Sequence, residues 1–221
     1  MDRNLILFFS WGRRELIEKT FPKVLETMRE QDRILVIDQG MHNFDFYAQY
    51  KDKIDFLYFT KLNYSIGPIW EFLRHFLDWK EGTKKTFFSK AGHGEKPEAW
   101  YPNFINIVES DALVSDGWID KLTKVFELNR DITIVSGFSG TEFPTLKKID
   151  EVHLKNGVSG VQIMVRANYY RYLLEEKLLH QMSQDCYFSE LNKNKGKFSA
   201  VLPGIVEHIG GEKGKAKGFI K

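Results

Sequence analysis

The chain has 221 residues, of which 43% are hydrophobic and 28% charged, so it can build one α/β domain with a full core and is too apolar for extended disorder. A formal net charge of +2 gives no reason in itself to expect a nucleic-acid or membrane-surface partner. The single cysteine, Cys186, excludes an internal disulfide, and no Cys/His spacing matches a zinc site.

Residues 5–9 form a short apolar run that reads as a first strand, followed at once by Ser10-Trp11-Gly12-Arg13-Arg14. Residues 15–30 carry Leu16, Phe21, Val24, Leu25 and Met28 at helical spacing, with a break or kink expected at Pro22. A compact buried strand at 34–37 ends on Asp38-Gln39-Gly40, and a third apolar run covers 54–59. Pro68 can open a helix with Ile69, Phe72, Leu73, Phe76 and Leu77 on one face. Residues 81–103 mix Lys, Gly, Pro and aromatics without a period and read as a long loop. A strand at 104–108 is capped by Glu109-Ser110-Asp111, a helix spans 118–128, and strands follow at 132–135 and 161–165. Helices at 168–179 and 184–194, an extended piece at 198–202 and a Gly/Lys tail complete the chain.

Alternating apolar strands and crossover helices predict an α/β fold with a mostly parallel central sheet flanked by helices, in one domain over 1–211 with a flexible basic tail at 212–221. No apolar run is long enough to span a bilayer, so no integral membrane association and a cytoplasmic protein are expected.

Ligands in open α/β sheets bind beyond the carboxyl ends of the strands, which directs attention to Ser10, Trp11, Arg13, Asp38, Asn63 and Glu109-Ser110-Asp111. Strand side chains two apart share a face, so Glu109 and Asp111 converge if the extended geometry persists through the strand end. Two adjacent carboxylates resist joint ionisation unless a cation lies between them, and hard oxygen ligands suit Mg2+ or Mn2+. The plain alternative is a strand end with two solvated acids before the Asp116-Gly117 turn, and the tripeptide alone favours it. Asp38 is equally readable as a turn or helix cap; Trp11 could stack a base, though an aromatic packed on the sheet edge is the commoner outcome; and Asn63 with Gly67 could be a plain loop.

Taken in order, these segments resemble the metal-dependent, family 2-like glycosyltransferases of the GT-A (nucleotide-diphospho-sugar transferase) fold. The likeness covers roughly residues 5–211. Residues 5–13 resemble the family's opening strand and nucleotide-facing loop, and 34–40 with Asp45 its second strand, whose terminal Asp contacts the donor base. Asn63-Tyr64-Ser65-Ile66-Gly67 is similar to the family's Asn-x-Gly region, and 106–122 to its metal-motif strand and following Gly-Trp helix start. Residues 159–166 resemble the Gly-containing strand on the acceptor side, which ends in Arg. Gln184-Asp185 resembles the Glu-Asp motif of the catalytic base, and Val206-Glu207-His208 the segment that completes the metal site. Two positions depart from the pattern: Glu109 replaces an Asp, which makes Asp111 the surer ligand, and Gln184 replaces a Glu beside the base.

The resemblance implies a hexosyltransferase-like enzyme that moves a sugar from a nucleotide-diphosphate donor, a UDP-sugar foremost, to an acceptor hydroxyl with inversion. Asp185 would be the base, and Glu109, Asp111 and His208 the ligands of Mn2+ or Mg2+. Ser10, Trp11, Arg13, Asp38, Asn63, Gly67 and Ser110 would face the donor. Without the resemblance, Asp185 is a helix first-turn acid and His208 an ordinary loop histidine. The acceptor is open among glycan, protein, small molecule and modified DNA. The last of these is suggested only by Lys84, Lys85, Lys90 and Lys96 among Phe87, Phe88, Trp100 and Tyr101, which read better as a solvated loop anchored by its aromatics. The alternatives are a non-catalytic carbohydrate- or nucleic-acid-binding protein on a degenerate scaffold of this fold and a sugar nucleotidylyltransferase. The nucleotidylyltransferase lacks its Gly-rich triphosphate loop here.

Overall fold

A computed structural model describes residues 2–61, 102–169, 190, 192 and 196–210. The first half is a βα alternation: β1 (Asn4–Trp11), α1 (Arg14–Thr27), β2 (Arg33–Gln39), α2 (Phe44–Ala48) and β3 (Phe56–Thr60). The second runs β4 (Phe104–Glu109), β5 (Ala112–Val114), α3 (Trp118–Leu128), β6 (Ile132–Ser136), β7 (Thr145–Ile149), β8 (Val152–Lys155), β9 (Gln162–Arg166), β10 (Phe198–Val201) and β11 (Val206–His208).

Among the described residues, nine strands make one sheet in the order β3-β2-β1-β4-β9-β6-β10-β8-β7, and β11 pairs with β5 in a separate ribbon. Strands β3, β2, β1 and β4 are mutually parallel, as the apolar runs predict. Strand β9 inserts antiparallel between β4 and β6, and β8 runs antiparallel to both β10 and β7, so these two strands oppose the common direction of the others and the sheet is mixed. Chain order reverses at β1, which has β2 on one side and β4 on the other. That is the switch point, beside whose carboxyl edge open α/β sheets bind their ligands.

Continuous apolar strands are expected to be buried on both faces, and the inner strands β1 and β2 are, whereas edge strand β3 leaves Phe56 and Tyr58 exposed. Ile6, Phe8, Ile34 and Val36 face one core, while Leu5, Leu7, Leu35 and Ile37 on the opposite face are equally buried. Phe21 of α1 meets Phe8 and Tyr47 edge-on, each at 5.0 Å between ring centroids. Trp118 opens α3 fully buried, and its indole N–H donates to Thr27 Oγ1 at 3.0 Å, tying α3 to α1. Burying side chains of this size contributes about 1.5–3 kcal/mol each.

Two local expectations change. Helix α1 runs through Pro22 without ending, because Ile17, Phe21 and Val24 pack into the core and outweigh the hydrogen bond that proline cannot make. Extended geometry does not persist past Glu109 either: residues 110–111 form a turn before β5, so the alternation argument for Glu109 and Asp111 fails at that point. The expected helix opened by Pro68, the expected loop at 81–103, most of both helices after 168 and the tail at 212–221 lie outside the described residues, except for 102–103, 168–169, 190 and 192. No helix among the described residues is long and apolar enough to cross a membrane.

Candidate active site

At the carboxyl edge of β1 the chain turns through two successive left-handed residues, Gly12 at φ 57° and Arg13 at φ 47°. For Arg13 that conformation is strained, and its carbonyl starts α1 by accepting from the N–H groups of Leu16 and Ile17. The turn sends the Arg13 side chain across to the end of the neighbouring strand β4. There Arg13 Nη1 lies 2.5 Å from Asp111 Oδ2, a carboxylate whose side chain is only 3% exposed.

Asp111 is held from several directions. The ribbon of β5 and β11 places His208 opposite Ala112, which brings His208 Nε2 to 3.2 Å from the same Oδ2. The Ile209 N–H donates to the Asp111 carbonyl at 2.9 Å, and Phe138 packs edge-on to the His208 ring at 5.6 Å. Next to it, Thr20 Oγ1 donates to the carbonyl of the buried Ser110 at 2.8 Å and fixes the backbone there. Asp111 Oδ1, by contrast, is buried and finds no hydrogen-bond partner. An orphaned buried carboxylate oxygen is costly unless something else satisfies it.

Glu109, also expected beside the metal, ends β4 on the side of β9. A Cβ placed on Gly160 would stand 3.7 Å from its Oε1. No cluster of three His, Cys, Asp or Glu side chains that could hold a metal is gathered among the described residues, so Glu109, Asp111 and His208 do not form a closed cage. The pair still fits a hard divalent cation. Such ions use one or two carboxylates and complete their shell with water and substrate phosphates, and Asp111 offers an open oxygen next to an imidazole.

The β2 side of the switch point is built differently. Asp38 is wholly buried: Ser10 Oγ donates to its Oδ1 at 2.9 Å, and Asn43 donates through its backbone N–H to Oδ2 at 2.9 Å and through Nδ2 to Oδ1 at 3.1 Å. Asn43 Nδ2 also reaches the Gly12 carbonyl at 3.2 Å, so this network pins the turn that aims Arg13. Tyr47 OH donates to Ser10 Oγ at 2.8 Å, and burial pushes its phenol pKa well up, so it stays a neutral donor. At the surface above, Trp11 meets the exposed His42 edge-on at 5.1 Å. Gly40, at φ 85°, lies under both rings, and a Cβ there would come within 2.6 Å of each. Asp45 is exposed and pairs with Arg14 at 3.1 Å, which holds its carboxyl below the usual range.

The structure thus brings together Ser10 with Asp38, and Arg13 with Asp111 and His208, around one switch point. It separates Arg166, which ends β9 opposite Phe104 at the far edge of the sheet and stacks on Phe104 and Phe126. Asn63, Gly67 and Asp185 lie outside the described residues. Sequence reasoning missed Asn43, Tyr47, His42 and Gly210. Only the Gly40-x-His-Asn spacing after β2 offered a signal for any of them.

No protein-family model matches the chain, and no curated protein matches its sequence. Solved structures do match. The mannosyltransferase PcManGT from Pyrobaculum calidifontis, in complex with GDP-Man and Mn2+, superposes with TM-score 0.64 at 12% identity, over 96% of this chain and 58% of that one. GalNAc-T7, with UDP, GalNAc and Mn2+, superposes with TM-score 0.62 at 9% identity, over 94% of this chain and 44% of that one. The chain therefore spans about half the length of the solved structures it matches. At such identities the likeness establishes architecture: the chain has the GT-A fold of these glycosyltransferases.

Proposed function

We propose that the chain is a glycosyltransferase that takes a sugar from a nucleotide-diphosphate donor and passes it to an acceptor hydroxyl. The observation that carries this reading is the buried Asp111 carboxylate at the switch point, with one oxygen unpartnered and the other shared by Arg13 and His208. The fold adds weight, since PcManGT was solved with GDP-Man and Mn2+, and GalNAc-T7 with UDP and Mn2+.

In this reading the base lies on Trp11, and the diphosphate lies between Arg13 and Asp111. Ser10 and Asp38 act from inside by fixing the turn at Gly12 and Arg13, because neither side chain reaches the surface. Thr20 holds the backbone of Ser110 next to Asp111, while Asn63 and Gly67 keep the donor-side role that their sequence pattern suggests. Asp111 and His208, with Glu109 reaching through water, would hold Mn2+ or Mg2+, which when bound neutralises charge on the departing diphosphate. The acceptor oxygen attacks the anomeric carbon as the bond from that carbon to the diphosphate oxygen breaks. The electron pair leaves with the nucleoside diphosphate, and the hydroxyl proton passes to the Asp185 carboxylate. Direct displacement of this kind inverts the anomeric centre. We take residues 1–211 as one catalytic domain, a UDP-sugar as the first donor to try, and the acceptor as open.

Thermal unfolding with UDP, GDP or dTDP, each with Mn2+ or with EDTA, tests the binding half of this reading. One nucleotide should raise Tm with Mn2+ and lose that effect in EDTA and in Trp11→Ala. Equal Tm under all conditions would remove nucleotide binding from the account.

A further inference from the structure

Arg13 occupies the carboxylate that the divalent ion is expected to use. Its guanidinium lies 2.5 Å from Asp111 Oδ2, and the backbone that puts it there is a strained left-handed turn pinned by Asn43 and Asp38. Strain at a non-glycine residue persists only where its surroundings enforce it, and it concentrates at working sites. The remaining oxygen, Oδ1, is buried and unpartnered. A divalent ion bound there would share one small carboxylate with a guanidinium, and two like charges so close in a desolvated site repel strongly. A diphosphate relieves the conflict from both sides. It supplies oxygens to the ion, and its bidentate pairing with a guanidinium gives Arg13 an alternative to Asp111.

Resting on the transferase reading above, we propose that Arg13 is a stand-in cation that closes the metal position until a nucleoside diphosphate draws it away, so that metal and donor bind as a coupled pair. Metal alone meets Arg13 on Asp111 and binds poorly. Donor alone must take Arg13 from Asp111 and leave that buried carboxylate without its guanidinium, held by His208 alone among the side chains of the described residues, so it too binds poorly. Together they satisfy every charge. The coupling is reciprocal, as linkage requires.

Mn2+ binding read by electron paramagnetic resonance, through loss of the six-line signal of the hydrated ion, tests this without any turnover. Wild-type protein, corrected for sites that survive in Asp111→Asn, is titrated with Mn2+ alone and with saturating UDP or GDP. We expect nucleotide to tighten Mn2+ about tenfold or more, within the usual range of allosteric coupling. In Arg13→Gln, Mn2+ alone should bind tighter than to wild type, and the nucleotide effect should shrink to about threefold or less. Arg13→Lys keeps the cation and should keep the coupling. Should Arg13→Gln fail to fold, Arg13→Gly removes the charge while relaxing the left-handed turn, and the same result is expected of it. If these variants bind Mn2+ alone no tighter than wild type, while wild type with nucleotide does bind it, Arg13 is no stand-in and the proposal is overturned with the transferase reading intact. If wild type binds Mn2+ under none of these conditions, both fall together.

Discussion

Gly210 lies against Asp111 so closely that a Cβ on Gly210 would overlap the carboxylate Oδ2 and stand 3.0 Å from the Asp111 Cβ and Cγ. The two residues are brought together by the bond from Ile209 N–H to the Asp111 carbonyl and by the ribbon of β5 and β11. Gly210→Ala should therefore push the Asp111 side chain from between Arg13 and His208. We expect Mn2+-dependent nucleotide binding to be lost at a stability cost of about 1–3 kcal/mol, typical of overpacking. Calorimetric binding beside denaturant unfolding checks this, and full retention of binding would show that the Asp111 position is not what the ligand uses.

Gly40 supports the Trp11–His42 pair in a similar way, at a positive φ and with no room for a methyl group. Gly40→Ala combines backbone strain with a clash against two rings and should cost about 2–4 kcal/mol. Tryptophan fluorescence should also report a changed environment at residue 11. An unchanged Tm would mean that the two rings move aside freely.

Asp38 separates two roles that sequence alone left together. As a buried acceptor for Ser10 and Asn43 it should act on every nucleotide alike, because it sets the turn rather than reading a base. Asp38→Asn is expected to weaken UDP and GDP by the same factor. Asp38→Ala should destabilise the fold by about 1.5–3 kcal/mol through unsatisfied buried donors. A change in preference between the two nucleotides would instead make Asp38 a base-reading residue.

Tyr47 gives a pH signature. Burial raises its pKa in the folded chain, so the stability it contributes is complete below the ordinary tyrosine value of about 10 and is lost as pH climbs above that value. The difference in unfolding free energy between wild type and Tyr47→Phe should be flat from neutral pH to about 9 and should shift against wild type beyond it. A difference independent of pH to about 11 would mean that the phenol ionises as readily folded as unfolded.

Much of the fold was legible because the buried strands are continuous apolar runs: β1, β2, β4 and β9 match the runs at 5–9, 34–37, 104–108 and 161–165 to within a few residues. Helix α3 carries a clean apolar stripe and was read to its ends. Strands β5, β7, β8 and β11 were not seen. β5 and β11 are three residues each, too short for a period, and Thr145–Ile149 of β7 is an edge strand whose residues are mostly exposed. At the site, Asp111 and His208 were paired only through a family resemblance. The ribbon that joins them is a long-range contact that no local pattern announces. Alternation misled at Glu109 because a strand pattern does not reveal the turn that follows it. Arg13 was marked for its place after a strand, yet its grip on Asp111 depends on two left-handed residues that composition does not disclose.

In the proposed function Asp111 serves transfer from a nucleotide-sugar donor. Purified protein incubated with UDP-, GDP-, dTDP- and CMP-sugars and Mn2+, with free nucleotide followed over time, measures this most directly. We expect release from one donor, abolished by EDTA and reduced about a hundredfold or more in Asp111→Ala, the scale of losing a principal electrostatic contribution to the transition state. Release that persists unchanged in Asp111→Ala would contradict the account. So would the absence of release from every donor, with no nucleotide or Mn2+ bound in calorimetry, which would leave a non-catalytic binder on a transferase fold.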